Sequence, residues 1–146
     1  MTIQELRKRS NDFVANLAGH VESAVMENER KIVAMNQEQM RLGKKADGSK
    51  IGFLASITYA RQKIDRGGRA PFRIPDLFNT GEFQSKMTLS TNGATYYEIG
   101  STDDKAFDLE SKYGSDIFGL MPTWHEEARQ LTGNSLARIY NSTVLR

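Results

Sequence analysis

The sequence predicts an α+β fold: a long N-terminal helix packed on a small antiparallel sheet with a hairpin, closed by a C-terminal helix. Three observations carry that prediction. Apolar residues from Ile3 to Met35 recur at helical spacing, alternation around Asn92-Gly93 marks two short strands, and Thr123-Trp124-His125-Glu126 opens a last periodic run. At 146 residues the chain fits a single domain, 1–146, and a chain of this size buries roughly two thirds of its unfolded surface. Within it, residues 1–43 read as the long helix, 44–75 as a basic, loop-rich segment, and 76–146 as the hairpin and C-terminal helices.

The N-terminal stripe runs through Ile3, Leu6, Phe13, Leu17, Val21, Ala24, Val25, Ile32 and Met35. A heptad seam fails after Leu17, where His20, Ala24 and Glu27 would follow, so the helix is expected on a sheet and not in a long coiled coil. Unbroken, it would reach about 50 Å, against a diameter of about 40 Å for the whole domain. Either it breaks near Gly19 or it projects onto another molecule, and the unchanged phase of the stripe past Gly19 favours projection. Ala46-Asp47-Gly48-Ser49 reads as a turn. Phe53, Ile57, Ala60 and Ile64 fit a helical face, while Ser56 to Tyr59 fits a strand start equally well. Arg66-Gly67-Gly68-Arg69-Ala70-Pro71, followed by Pro75, reads as a flexible or extended loop.

Asp76 to Phe78 reads as a short turn, Gly81 as a backbone break and Phe83 as the start of a strand. A two-residue turn at Asn92-Gly93 pairs Leu89 with Tyr96 and leaves Ile99 opposite Lys86. A three-residue loop, Thr91-Asn92-Gly93, with Gly93 in the left-handed position of a bulge, pairs Leu89 with Thr95 and Met87 with Tyr97. It places Phe83, Met87, Leu89, Tyr97 and Ile99 on one face, and is the register expected. Ser101 to Asp104 starts a helix that Gly114 ends, and Ile117 to Leu120 is a short apolar piece. Thr123 and Glu126 form a capping box for the final helix, with a soft spot at Gly133.

The net charge of +2 conceals an uneven distribution. Residues 41–73 hold nine Lys and Arg against two acids, and residues 98–127 hold eight acids against two lysines. Such a surface holds nucleic acid on one side, or lets copies dock positive to negative. Catalytic constellations lack their parts. There is no cysteine, Leu42-Gly43-Lys44-Lys45 lacks the first glycine and the Ser/Thr of a phosphate-binding loop, and His20 and His125 have no companion at metal-ligand spacing. Asp103-Asp104 suit the first turn of a helix better than a cation. The expectation is therefore no enzyme, no cofactor and no metal. The N-terminus has no apolar signal region and no run reaches membrane-spanning length, so synthesis in the cytoplasm without membrane contact is expected.

From about Asn36 onward the chain carries Asn36-Gln37-Glu38-Gln39-Met40, Gly43, Asp47-Gly48, Tyr59, Pro75 to Phe83, Asp104-Lys105, Lys112-Tyr113-Gly114 and Ile117 to Leu120 in that order. This resembles the small virion-morphogenesis proteins of tailed bacteriophages and prophages, in the tail-completion or neck (head-tail connector) group. The D-L-x-x-T-G-x-F piece, Asp76 to Phe83, is similar to that group's DTGxL element, with Phe83 where a smaller aliphatic is commoner. The resemblance implies the α+β fold and a ring at the head-to-tail junction with no enzymatic activity. Its partners would be further copies, other neck, portal-side or tail proteins and, in passing, double-stranded DNA, in a virion assembled in the bacterial cytoplasm. On this reading Arg61, Lys63, Arg66, Arg69 and Arg73 contact a neighbouring subunit or DNA. Asp76, Leu77, Thr80, Gly81, Phe83, Asn92 and Gly93 build the scaffold. The alternative is a DNA-binding accessory protein that uses the basic 41–73 segment.

Overall fold

Three helices in a row occupy the place of the single long one: α1 (Ile3–Ala15), α2 (Leu17–Glu27) and α3 (Glu29–Arg41). The computed structural model describes residues 1–92 and 96–146. Thr2 and Glu5 start α1 with a reciprocal capping box. The interruptions fall at Asn16 and Asn28, not at Gly19. Each asparagine donates its Nδ2 to the carbonyl four residues back, Asp12 and Ala24, at 2.8 Å in both cases. A side-chain amide competing for the helix's own carbonyls is the local cause of the break.

The expected projection is also replaced, because α1 and α2 find their partner in α7 (Pro122–Val144) of the same chain. Phe13 stacks on His20 at 4.4 Å between ring centres and meets Tyr140 edge-on at 5.1 Å. Lower down, Asn28 Nδ2 reaches Ser135 Oγ at 2.9 Å and Arg138 pairs with Glu27 at 2.6 Å. The capping box expected at Thr123 and Glu126 is absent from α7. Pro122 occupies the first helical position, its fixed φ starts the helix before Thr123, and Met121 stands at the cap without a side-chain bond. The helix passes through Gly133 without interruption.

The hairpin pairs β1 (Met87–Thr91) with β2 (Tyr97–Ser101), Met87 opposite Ser101, Leu89 opposite Ile99 and Thr91 opposite Tyr97. Neither register read from the sequence is adopted, since the connection is longer: Asn92 N donates to Tyr96 O at 3.1 Å across its base. The expected left-handed position at Gly93 lies outside the described residues. The face is as expected for Met87, Leu89, Tyr97 and Ile99, but Phe83 does not open a strand; it is buried in the short helix α5 (Glu82–Ser85).

A two-stranded ribbon is marginal alone, and here its inner face closes on α2 and α3. Val25, Ile32, Met35 and Met40 share one core with Met87, Leu89, Ile99 and Phe83, together with Ile117, Leu120 and Ala128. Each such side chain, fully buried, contributes about 1.5–3 kcal/mol. The fold is α+β, with a helical run against a small antiparallel sheet and a C-terminal helix closing it.

A second connection is polar. After α6 (Ala106–Tyr113) and a 3₁₀ turn (Ser115–Ile117), the chain bends at Phe118 and Gly119, the glycine at φ 105°, before it enters α7. Asn36 Nδ2 donates to Ile117 O at 3.1 Å, and its Oδ1 accepts from Gly119 N at 3.0 Å. One turn on, Gln39 Nε2 donates to Gly119 O at 3.0 Å, and its Oε1 accepts from Met121 N at 2.8 Å. Alternate backbone groups of the segment are thus read as a neighbouring strand would read them. Both amides are fully buried.

In the basic segment, Lys45 N–Ser49 O at 2.8 Å and Asp47 Oδ1 accepting from Ser49 N close the expected turn. The ambiguous stretch resolves as α4 (Ile57–Asp65), capped by Ser56 Oγ. Of its expected apolar face Ala60 is buried, whereas Phe53, Ile57 and Ile64 stay exposed. The glycine pair is not an extended loop: Gly67 N and Gly68 N, each at 2.9 Å, bond back to Ile64 O and Lys63 O and close the end of α4. Among the described residues no helix is long and apolar enough to cross a membrane.

Candidate functional site

The segment Pro75 to Phe83 divides two clefts, and its backbone is held in an unusual shape. Arg73 and Leu77 have positive φ, 66° and 52°, which costs a side-chain-bearing residue on the order of 1–3 kcal/mol. The surroundings impose it. Asp76 Oδ1 accepts from Phe78 N at 3.0 Å and from Lys63 Nζ, which also donates to Phe78 O. Gln84 Nε2 reaches Asp76 O at 3.4 Å. Arg73 donates to Leu54 O at 3.0 Å and Ala55 O at 3.2 Å, its guanidinium 4.1 Å above the Phe53 ring.

Gly81 completes the turn at φ 83°, and a Cβ there would meet the Phe78 ring at 3.0 Å. Gly81→Val is accordingly expected to lose about 2 kcal/mol or more. Thermal melting checks this, and an unchanged midpoint would refute it.

On one side of the segment lies a cleft of about 280 Å³, lined by Arg41, Lys63, Arg66, Gly67-Gly68 and Arg69 with Asp76 and Phe78. The five basic residues expected to form one contact surface separate here into three kinds. Lys63 and Arg73 face inward as structural cations. Arg69 pairs with Glu38, and the guanidinium holds that carboxyl below its usual range. Arg61 and Arg66 are exposed and make no ion pair among the described residues. Arg41, which the sequence reading left out of the site, enters from the end of α3, its guanidinium 4.7 Å above the Phe78 ring. Its place in the basic run was visible; its convergence with α4 depends on the fold. Planar guanidinium groups at a cleft suit a carboxylate or phosphate.

On the other side a groove of about 340 Å³ has an apolar floor of Leu54, Tyr59, Leu77, Phe83, Leu109 and Tyr113, with Lys105 and Lys112 also lining it. Asp76, Leu77, Thr80, Gly81 and Phe83 all border this groove, so the expected scaffold motif is also its wall. Asn92 stands apart at the hairpin end. The acids at the start of α6 divide as well. Asp103 is buried, accepts from Lys105 N at 2.8 Å and pairs with Lys86 at 3.3 Å, which together hold its carboxyl below the usual range. Asp104 is exposed. Among the described residues no three metal-ligating side chains gather. Comparison of the chain with protein-family models, with curated proteins and with solved structures returns no match.

Proposed function

We propose that the chain is a structural subunit of a tailed-bacteriophage virion, a ring-forming neck or tail-completion component that joins head to tail and carries no catalytic chemistry. The observation that supports this reading is the separation of unpaired charge. Arg61 and Arg66 stand on α4 and just after it, while Asp104, Asp108 and Glu110 stand on and before α6, all without an ion pair among the described residues. Opposite charges left unsatisfied within one chain are suited to meeting on neighbouring chains. The cationic cleft would face an acidic partner surface or DNA passing through the ring.

Arg61→Glu combined with Arg66→Glu, at the two exposed arginines that make no ion pair among the described residues, should leave stability within about 0.5 kcal/mol, yet impair assembly. Particle formation scored in infected or expressing cells tests it, and normal particles from a folded variant would refute it. The unpaired Arg66 beside the cleft also favours a second reading, a DNA-binding accessory protein. Duplex affinity that collapses with added salt, from a chain that stays monomeric in light scattering, would select that reading.

A further inference from the structure

We propose that the apolar groove bordered by Pro75 to Phe83 receives the outer face of α6 from a second copy, with Phe107 as the anchor. The inference rests on the ring-subunit reading and names the surfaces it would use. Phe107 is 78% exposed, an unusual state for a large aromatic ring in a helix. At 100° per residue it points about 200° away from Leu109, which packs toward the groove and core of its own chain. Asp108 and Glu110 lie within about 100° of Phe107 around the same helix, Asp104 stands in the turn two residues before its start, and none of the three is ion-paired among the described residues. The outer face of α6 is therefore an apolar knob with carboxylates around it.

The groove has the complementary chemistry: apolar side chains with Lys105 and Lys112 among its lining residues, while the acids in the same wall, Asp76 and Glu82, are paired with Lys63 and Lys86. Both lysines are exposed. Phe53 and Ile57, next to Leu54 and Tyr59 in the chain, are exposed as well and extend the apolar surface available to a neighbour. An aromatic anchor in a pocket with charges outside it is the usual energetic centre of a protein interface. Knob and groove lie on opposite sides of one helix, so each copy uses them toward different neighbours. That contact is head-to-tail, and it closes into a ring when the rotation between copies permits.

Phe107→Ala, made in the full chain, is expected to keep its fold by far-ultraviolet circular dichroism and to weaken self-association about 30-fold or more in sedimentation velocity. Lys105→Glu with Lys112→Glu should do the same from the groove side. Mixed in equal amounts, the two variants should form a heterodimer and stop there, since one retains the groove and the other the knob. If wild type and Phe107→Ala associate equally, the groove assignment fails while a ring built on other surfaces stands. A wild type that stays monomeric at all concentrations sinks both. Duplex DNA that, when added, binds the wild type and Phe107→Ala equally but not the Lys105→Glu, Lys112→Glu variant gives the groove to a polyanion and overturns the second-copy assignment.

Discussion

Replacing Asn36 with alanine should remove about 4 kcal/mol of stability, and replacing Gln39 a similar amount. Each amide makes two hydrogen bonds to the backbone between Ile117 and Met121. A net hydrogen bond is worth only about 1 kcal/mol, but truncation leaves backbone groups unpaired at about 1–3 kcal/mol each. Two such groups per side chain set the estimate. Among the described residues no other group bonds Ile117 O, Gly119 N, Gly119 O or Met121 N, and Asn36 and Gln39 are fully buried. Both substitutions together approach the whole stability of an ordinary domain, about 5–15 kcal/mol. The combined variant should be unfolded or molten at 25 °C. Gln37→Ala is the control: its Nε2 bonds Gln84 O at 2.7 Å near the surface, and its loss should cost about 1 kcal/mol. Urea unfolding measures all four, and a loss below that of the control for either buried amide would dismiss the clamp.

Asp76→Ala is the second large effect, about 3–5 kcal/mol, the usual result of leaving one buried partner of an ion pair alone. The side chains of Lys63 and Asp76 retain only 15% and 7% of their exposure, so the stranded ammonium has little access to water. Asp76 also holds Phe78 N, and through it the left-handed turn at Leu77. Asp76→Ala with Lys63→Met should recover part of the loss, since no ammonium is left stranded, while Phe78 N stays without its acceptor. The cycle separates two roles for Lys63. A residue that served only a partner surface would let Lys63→Met leave the unfolding midpoint where it was; the structural role predicts a clear drop.

Much of the architecture was legible because periodicity reports burial directly. The alternation of Met87, Leu89, Tyr97 and Ile99 identified the inner face of the hairpin, since a strand's period of two survives any even slip. Its register was not legible, because that depends on the loop, and a connection from Asn92 to Tyr96 slides Leu89 from Thr95 to Ile99. The helical stripe gave the buried face of α2 and α3 but not the interruptions. A stripe records phase, while Asn16 and Asn28 act through their own carbonyl bonds, leaving the phase almost untouched. For the site, composition located the basic segment and the Pro75 to Phe83 turn. It could not sort Lys63, turned toward Asp76, from Arg66, left in solvent, because that difference arises where α4 crosses the turn. The exposure of Phe107 was equally hidden, since a phenylalanine at helical spacing reads as core.

The pairing of α1 and α2 with α7 bears on how quickly the chain reaches this state. Helical proteins usually fold fast because most contacts join residues close in sequence. Here decisive contacts are remote: Asn28 with Ser135 spans 107 positions, Glu27 with Arg138 spans 111, and the Asn36 clamp spans 81 and 83. Closing loops of that size must precede the stabilisation they provide, so folding is expected to have the tempo of a β-rich protein despite the helical content. During synthesis α1 and α2 leave the ribosome long before α7, and their apolar faces stay open to chaperones or to wrong partners until it arrives.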